Sequence, residues 1–337
     1  MKISPKIPSA IFLFILILLK ISYSQQSIIS DFEYISPVPG SGMNMPETNV
    51  IIRFGPAFSS NDVYSPNLVE VRGDKSGLHS GDLILSEKNK TLLFNPDVPF
   101  QKGEVVSVKF LRSTKTEDGK LIPALSFYFK ITGKNINEIV RRNPDKYLLN
   151  EYPEFTSSQS NNFSFPISNN NRYSVMEDSL PEDFPTIRVD SLNDPTPGYV
   201  FLTPFSFSSV ITNYLIINDN YGTPVFYRKT PDFNLDFKKQ PGGNLTYFDG
   251  STYYFYSLDS SYQVIDSFTV GNGYPIDFHE LLILKNNHIL ILGQDYQQVA
   301  MDTVVPGGDP NAIVVGQIIQ EQDEDRNVVF QWRSWDH

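Results

Sequence analysis

Cysteine is absent from this chain of 337 residues. That absence excludes disulfide bonds, thiolate nucleophiles and cysteine metal sites. Histidine is scarce as well, with four residues in all. Basic residues are outnumbered by acidic ones, 27 to 38, and the formal net charge is −11, which disfavours nucleic acid or an anionic membrane surface as a partner. Without disulfides, the protein must be stabilised by its hydrophobic cores, and the chain is long enough for two domains.

Long apolar runs are missing after the first residues of the chain. Residues 10–19 form an unbroken apolar run that follows two lysines, and the small residues Ser22 and Ser24 precede a predicted cut before Gln25. This pattern is typical of a secretory signal peptide over residues 1–24. A run of about ten residues is shorter than the roughly 20 that a bilayer requires, although a retained anchor is the alternative. We therefore expect an exported protein without a membrane span, located in the periplasm or cell envelope or secreted.

Aromatic residues are abundant, with 25 Phe and 18 Tyr, and they favour strands over helices. Residues 33–133 contain short runs with two-residue alternation, separated by turn residues, which predicts a β-sandwich. The order of features, from the sequence PVPG at 37–40 to KGE at 102–104 before a strand, resembles the bacterial Ig-like domains of surface-layer and cell-envelope proteins. We interpret His79, in this region, as an ordinary loop residue.

Residues 134–196 are predicted to be a linker. The polar runs at 157–162 and 169–171 are difficult to bury, and four prolines interrupt any regular element in the second half of the segment. One short helix is expected from Ile136 to Arg142. We assign no other structure to this part of the chain.

From Gly198 onward the sequence repeats itself. Three segments, 214–227, 253–266 and 316–332, each contain a strand, a turn rich in Asp and a second strand. Repeated hairpins of this kind are typical of β-propellers, whose four-stranded blades take roughly 40–45 residues each. The chain is therefore expected to be all-β, with an Ig-like β-sandwich followed by propeller blades over residues 197–337.

A second type of hairpin lies between these repeats. Residues 241–248 align with residues 285–292 at a spacing of 44. In this alignment His288 occupies the turn position of Asn244. We therefore interpret His288 as a tight-turn residue rather than a catalytic one.

Two of the four histidines lie where a strand meets a loop, and each has acidic neighbours. His279 belongs to the sequence DFHE at 277–280, and His337 closes the sequence WDH at 335–337. Asp277 and Glu280 could orient the first imidazole and raise its pKa, and Asp336 precedes the second. The alternative is that these histidines are hydrogen-bonded structural groups. Two histidines 58 residues apart, without a close ligand pair, are a weak signal for a metal.

Together these segments resemble the arylsulfotransferase family, the aryl-sulfate-dependent sulfotransferases built on a six-bladed β-propeller. The segments that carry the resemblance are 214–219, 225–227, 236–238, 241–245, 277–282, 316–321 and 328–337. They span about half of what a six-bladed ring requires. The resemblance therefore implies an incomplete propeller, and family members often carry an N-terminal β-sandwich.

The resemblance also implies a chemistry, transfer of a sulfuryl group from an aryl sulfate to a phenol through a sulfohistidine intermediate, with no nucleotide cofactor. Sulfuryl transfer needs a nucleophile, cationic donors around the oxygens and a proton donor to the leaving oxygen. By resemblance, His279 and His337 are catalytic residues that hold the oxygens or assist the leaving group, and Asp277, Glu280 and Asp336 support them. The nucleophilic histidine and the channel arginine of the family fall in later blades. We therefore expect a fragment, a ring completed by a partner, or an inactive chain.

A non-catalytic envelope protein is the main alternative. In that interpretation an Ig-like spacer presents a propeller that binds a glycan or another protein, through loops such as 296–298 and 307–311. A quinoprotein or lyase propeller is a third possibility, for which the sequence shows no cofactor motif. In either case, unpaired blade edges predict self-association into homo-oligomers or aggregates.

Overall fold

The computed structural model describes residues 30–64, 68–144, 180–204 and 212–337. These residues are mostly in strands, with two short helices among them, so the predicted all-β class is confirmed. The predicted signal peptide at 1–24 lies outside the described residues, as does most of the predicted linker. None of the helices described is long and apolar enough to cross a bilayer. The chain divides into two compact units, residues up to Asn135 with 327–337, and Ile136–Arg326.

The elements are numbered in chain order. Strands β1 to β10 are Tyr34–Ser36, Val50–Arg53, Val69–Gly73, Gly77–Leu78, Gly81–Ser86, Thr91–Pro96, Val105–Phe110, Thr114–Lys115, Leu121–Ile122 and Ser126–Lys130. Strands β11 to β21 are Val200–Leu202, Tyr214–Asn218, Pro224–Lys229, Asn234–Lys239, Leu245–Asp249, Tyr254–Leu258, Val264–Phe268, Ile276–Ile283, Ile289–Val299, Ala312–Gln322 and Val328–Arg333. Helix α1 is Ser60–Val63 and helix α2 is Ile136–Arg142, and 3-10 turns form at Met301–Thr303 and Ser334–Asp336.

The first unit contains two four-stranded antiparallel sheets with a shared core. One sheet has the order β1-β2-β6-β5 and the other β10-β7-β3-β4. Alternate residues of each sheet face the same cluster, such as Val50 and Ile52 of β2 and Val106 and Val108 of β7. This arrangement is a β-sandwich, which agrees with the alternation of apolar residues in the sequence.

The outer face of the β1-β2-β6-β5 sheet is also apolar, and strand β21 covers it. Ile51 and Leu93, which alternate with the core residues, are fully buried against Val328 and Val329. The side chain of Asn49, which precedes β2, holds the backbone of β21 by donating to the carbonyl of Val328 at 3.0 Å. The last residues of the chain are therefore an integral part of the first unit.

His79 lies in the short loop between β4 and β5, as interpreted from the sequence, but it is buried and hydrogen-bonded. Its ring is 4.6 Å from that of Phe100, and its Nε2 is 2.6 Å from the Ser76 hydroxyl. Ser76 in turn donates to the carboxylate of Glu104 at 2.8 Å. Glu104 is the acidic residue of the KGE sequence at 102–104, and its burial gives that sequence a structural role.

The second unit contains consecutive antiparallel meanders. Two of them have the orders β11-β12-β13 and β14-β15-β16-β17, and β18, β19 and β20 are successive neighbours in a third sheet. The first two sheets share a core that includes Leu215, Phe237 and Tyr247. The predicted strand-turn-strand repeats at 214–227 and 253–266 are therefore confirmed as hairpins. The structure shows separate sheets, and their arrangement as blades of a propeller stays a prediction.

The three Asp turns of the repeat share one hydrogen-bond pattern. Asp219 accepts backbone N–H bonds from Tyr221 and Thr223 on its carboxylate, at 2.9 and 2.8 Å. Asp259 does the same with Ser261 and Gln263, both at 2.8 Å, and Asp323 accepts from residue 325 at 3.1 Å. A carboxylate that bonds the backbone two residues ahead favours a tight turn, which explains why Asp recurs there.

The second type of hairpin also repeats, as its spacing of 44 predicts. The N–H of Gln240 donates to the carbonyl of Asn244, and the N–H of Leu284 donates to the carbonyl of His288, at 2.8 and 2.7 Å. Gly243 and Asn287 occupy the same place in the two turns, and both have positive φ, +99° and +61°. The interpretation of His288 as a tight-turn residue is confirmed.

Helix α2 is the helix expected from Ile136 to Arg142, and its position follows from one buried amide. Asn137 donates to the Asp295 carboxylate at 2.9 Å and accepts the N–H of Tyr296 at 2.7 Å, so the helix packs on β19. Tyr296 and Gln297 are therefore buried strand residues rather than the open binding loop expected at 296–298. Residues 307–311 do form a loop.

Candidate functional site

The sequence DFHE lies in a bulge of strand β18. Ile276 pairs with Gly293 and Leu281 pairs with Ile291, so residues 277–280 stand opposite a single residue of β19. A bulge bends the strand and redirects side chains that would otherwise alternate in regular order. Because of this bulge, the side chains of residues 277–280 do not follow the regular alternation of the strand.

Asp277 and His279 form a pair within the bulge. The Asp277 side chain is 7% exposed, whereas that of His279 is 53% exposed. One carboxylate oxygen of Asp277 accepts the backbone N–H of His279 at 3.0 Å and lies 2.6 Å from its Nδ1. A carboxylate at Nδ1 fixes the tautomer that carries the proton there, and it leaves Nε2 as the ring nitrogen with a free lone pair.

Phe278 anchors the bulge in the second unit. Its ring lies 5.7 Å from that of Phe248 and 6.3 Å from that of Phe233. Phe233 and Phe248 are themselves 6.0 Å apart, so the three rings form one cluster. Because Phe278 lies between Asp277 and His279 in the chain, this packing limits how far the pair can move.

Glu280 pairs with a lysine of the preceding sheet. Lys238 contacts the carboxylates of both Glu280 and Asp236, and it is 2.9 Å from the latter. Asp236 also accepts the N–H of Leu281 at 3.0 Å. Burial raises the pKa of Asp236, and the contact with Lys238 acts in the opposite direction.

Sequence analysis gave Asp236 and Lys238 no role, although both belong to a segment that carries the family resemblance. The repeat offered a signal, because Asp236 precedes Glu280 by the same 44 residues that separate the two turns. Gln240 joins the same pair of strands, since its amide donates to the carbonyl of Leu281 and accepts the N–H of Ile283, both at 3.0 Å. Strands β14 and β18 are thus held together by polar side chains.

His337 and Asp336 belong to the first unit, whereas His279, Asp277 and Glu280 belong to the second. The ring of His337 stacks on that of Trp332, with centroids 5.3 Å apart and planes 12° apart. The Asp336 side chain is 6% exposed and lies 3.7 Å from the guanidinium of Arg333. Burial raises the pKa of Asp336, while Arg333 and His337 act to lower it.

Arg333 is buried and holds the end of the chain against the start of the first unit. Its guanidinium donates to the carbonyl of Met43 at 3.0 Å and to the side chain of Asn44. A buried arginine with several acceptors serves as a structural anchor. This role explains the position of Asp336 and His337, which follow it in a 3-10 turn.

His288 has a charged partner in addition to its turn position. Its Nδ1 lies 2.7 Å from a carboxylate oxygen of Glu321 on the neighbouring strand β20. The His288 side chain is 11% exposed. This pair joins β19 to β20 and is distinct from the pair formed by Asp277 and His279.

No protein-family model matches the chain, and no curated protein matches it. Among solved structures, PcoC, a copper resistance protein from Escherichia coli, is 12% identical with a TM-score of 0.25, and the match covers 30% of this chain and 98% of PcoC. CopC from Methylosinus trichosporium OB3b is 15% identical with a TM-score of 0.23, and the match covers 30% of this chain and 91% of CopC. Domains 1–6 of the surface layer protein SbsC are 9% identical with a TM-score of 0.25, over 88% of this chain and 45% of that one. At TM-scores this low, the similarity supports no inference about function.

Proposed function

We propose that this chain is an exported aryl-sulfate sulfotransferase, which moves a sulfuryl group from a phenolic sulfate ester to a phenolic acceptor through a sulfohistidine intermediate. The observation that carries the proposal is the pair of Asp277 and His279. A buried carboxylate holds Nδ1 of an imidazole whose ring is half exposed. This is the arrangement that a histidine needs in order to present Nε2 to a substrate.

When the imidazole of His279 is protonated, the chemistry of the pair suits a sulfate ester. When Nε2 takes up a proton, Asp277 stabilises the resulting imidazolium, which can then donate to a sulfuryl oxygen or to the leaving phenolate oxygen. As the bond from sulfur to the leaving oxygen breaks, that oxygen gains negative charge and takes the proton. At the same time sulfur forms a bond to the nucleophilic histidine, which gives the sulfohistidine. In the second half of the reaction the oxygen of the acceptor phenol attacks that sulfur, the bond from sulfur to the histidine breaks, and the now neutral Nε2 of His279 takes the proton of the phenol.

The proposed architecture is an Ig-like domain over residues 33–133, a linker over 134–196 and propeller blades over 197–337. The sandwich of the first unit and the meanders of the second support it. Further support comes from the contact between β14 and β18, the first strands of successive sheets, since inner strands of neighbouring blades meet in a propeller.

The other roles follow from the family resemblance. His337 is proposed as a second histidine that binds the sulfuryl oxygens, with Asp336 beside it. Glu280 supports the site through Lys238, with which it forms an ion pair. The resemblance assigns the nucleophilic histidine and the channel arginine to later blades.

The test is transfer of the sulfuryl group from 4-nitrophenyl sulfate to phenol without added nucleotide. The reaction is monitored by the absorbance of the 4-nitrophenolate that is released. It is made with this chain and with the product of its reading frame, should that extend past His337. His279→Ala is expected to reduce transfer at least about 100-fold, because it removes a positioned acid or base. Asp277→Asn is expected to reduce it by about tenfold or more, because the tautomer is no longer fixed.

Glu280→Gln is the matched control for the bulge. It breaks the ion pair with Lys238 while the contact between Asp277 and His279 is retained, so it should affect transfer much less than His279→Ala. Equal activity of wild type and His279→Ala would contradict the proposal. So would the absence of transfer from a well-folded product of the full reading frame.

A non-catalytic envelope protein that binds a glycan or another protein is the second candidate. One observation favours it. Among the described residues around the bulge, the three carboxylates of Asp236, Asp277 and Glu280 outnumber the ammonium group of Lys238. An excess of negative charge disfavours an anionic sulfate ester more than a neutral or cationic partner. Failure of the transfer assay with a folded protein would therefore support this candidate.

A further inference from the structure

The two sheets of the first unit differ in their outer faces. Strand β21 covers the outer face of the β1-β2-β6-β5 sheet, whereas the outward residues of the other sheet reach solvent. Phe127, Phe129 and Val108 point into the core, so the residues that alternate with them point outward. We call this outer surface the open face. It is formed by Glu70 and Arg72 of β3, Val105, Ser107 and Lys109 of β7, and Ser126, Tyr128 and Lys130 of β10.

An exposed tyrosine lies between two exposed lysines on the open face. Tyr128 is 57% exposed and pairs with Ser107 of the neighbouring strand. Lys130 lies two residues along β10 on one side of this pair, and Lys109 lies two residues along β7 on the other side. With the usual spacings of a sheet, the Cα atoms of the two lysines are about 14 Å apart, and that of Tyr128 is about 7–8 Å from each. The surface therefore presents a cation, a ring and a second cation in order.

Cations outnumber anions on the open face. Arg72, Lys109 and Lys130 are basic, and Glu70 is the acidic member of the set. Glu70 lies 3.7 Å from Arg72 and stands opposite Lys109 in the register of β3 with β7. The open face thus carries a net positive charge, although the formal net charge of the chain is −11.

The charges at the end of the sheet beside Lys130 do not change this balance. Asp74 accepts the N–H of Val105 at 3.0 Å, and the buried carboxylate of Glu104 lies in the same region. Two exposed lysines accompany these acids, since Nζ of Lys75 donates to the carbonyl of Lys102 at 3.1 Å. The two acids and the two lysines compensate each other.

These features restrict the class of partner. A surface with net positive charge selects an anionic partner, and a flat sheet face suits an extended chain. The Tyr128 ring offers a rigid apolar surface on which a sugar ring can stack at low entropic cost. We propose that the open face binds a linear polyuronate, a polysaccharide with a carboxylate on each sugar ring. One ring stacks on Tyr128, and carboxylates on either side pair with Lys109 and Lys130.

Three other partners fit the open face less well. A single-stranded nucleic acid binds in a positively charged groove that follows its backbone, and the open face is not a groove. An acidic peptide without aromatic residues would reach the lysines but offer Tyr128 no ring. A neutral glycan would leave both lysines without a counterion. The inference concerns the first unit and is independent of sulfuryl transfer by the second.

Two hexasaccharides that differ only in charge test the proposal. Hexamannuronate and mannohexaose, both β-1,4-linked, share the ring and the linkage, and mannohexaose lacks the carboxylates. Isothermal titration calorimetry of the full chain with each gives the two affinities. At low ionic strength hexamannuronate is expected to bind saturably and about tenfold more tightly, the combined effect of two exposed ion pairs. The difference should largely disappear at about 1 M salt, where charges are screened within about 3 Å.

The variants separate the contribution of the ring from that of the charges. Tyr128→Ala should weaken both hexasaccharides about fivefold, because it removes the stacking surface. The double variant Lys109→Gln, Lys130→Gln should reduce the affinity for hexamannuronate to that for mannohexaose and leave mannohexaose unchanged. Lys90→Gln is the matched control, since Lys90 is exposed in a turn of the other sheet, and it should change neither affinity. All four residues are exposed, so the fold should be retained in each variant.

Several outcomes would overturn the proposal. They are no saturable binding of hexamannuronate, equal affinity for the two hexasaccharides at low ionic strength, and binding that Tyr128→Ala or the double lysine variant leaves unchanged. Tighter binding of hexaglutamate or of a thymidine hexanucleotide than of hexamannuronate would also overturn it, because each would assign the open face to one of the rejected classes.

Discussion

Glu104 is fully buried in the first unit and nevertheless keeps its charge. Burial alone would raise its pKa, but hydrogen bonds from the Ser76 hydroxyl and from the N–H groups of Ser76, Gln101 and Lys75 outweigh that effect and hold the pKa below its ordinary value. The carboxylate also explains a glycine. A Cβ at Gly73 would lie 2.1 Å from a Glu104 oxygen, so no other residue fits there without a shift.

Replacement of Glu104 by Gln should destabilise the first unit in a pH-dependent manner. Because the folded pKa is lower than the ordinary value of 4.5, the ionised carboxylate stabilises the fold above pH 4.5, and this contribution is lost as the pH falls through the folded pKa. At neutral pH the variant should lose about 2 kcal/mol of unfolding free energy. The measurement is denaturant unfolding, followed by tryptophan emission, at a series of pH values.

Glu70→Gln is the control for this prediction, since Glu70 lies on strand β3 of the same unit with a side chain that is 25% exposed. This substitution should lower the unfolding free energy much less than Glu104→Gln does. If Glu104→Gln were no less stable than wild type at neutral pH, the hydrogen bonds to Glu104 would have no net stabilising effect.

At the scale of elements, the turns of the second unit show how a repeated sequence gives a repeated hairpin. Gly243 and Asn287 occupy the same left-handed position in two hairpins. Glycine adopts positive φ without cost, and asparagine is among the few other residues that tolerate it. The chain therefore uses both of the residues that the turn permits.

Substitutions of Gly243 should follow this rule. Gly243→Asn should be tolerated, because the next hairpin already has Asn at that place. Gly243→Val should lower the unfolding free energy by roughly 1–2 kcal/mol, since a β-branched residue is strained at positive φ. Thermal unfolding followed by far-ultraviolet circular dichroism would compare the two. Equal stability of both variants would show that the turn relaxes to negative φ.

The hairpins could be predicted from the sequence because their signals are local. Asp219 and Asp259 bond to residues two and four positions ahead, so a short window of sequence contains the whole turn. The burial of Tyr296 and Gln297 had no such signal. Their polarity suggested a loop, but Asn137, more than 150 residues away, provides the partner that allows burial.

The candidate site was predictable in part for the same reason. Asp277 and His279 are two residues apart, and their contact needs only the bulge. The ion pair of Glu280 with Lys238 depends on two sheets meeting, which a single sequence does not reveal. The burial of His79 likewise depends on Glu104 and Phe100, which are distant in the chain.

At the scale of the whole molecule, the first unit is discontinuous in sequence. It consists of residues up to Asn135 together with residues 327–337, and the entire second unit is inserted between them. The returning strand β21 buries Val329 completely against the outer face of the sandwich. The stability of the first unit therefore depends on residues far from its main sequence.

Val329→Ala tests this dependence. Loss of two buried methyl groups and the resulting cavity should lower the unfolding free energy of the first unit by about 2 kcal/mol. Both tryptophans lie in the first unit, so the emission of tryptophan during denaturant unfolding reports the change. Val305→Ala is the control, because Val305 is 45% exposed and should change stability by less than about 0.5 kcal/mol. Equal effects of the two substitutions would contradict the packing of β21.

The discontinuity also determines the order in which the protein can mature. A ribosome delivers the chain from its N-terminus, and domains generally fold as they emerge. The strands that carry Ile51 and Leu93 are made early, but the residues that cover them are made only after the whole inserted unit. During synthesis, and during any passage across a membrane, this apolar face of the sheet therefore remains exposed until β21 packs on it. A stall before Asn327 would leave that face open to water and to other chains, so the synthesis of β21 is a condition for covering it.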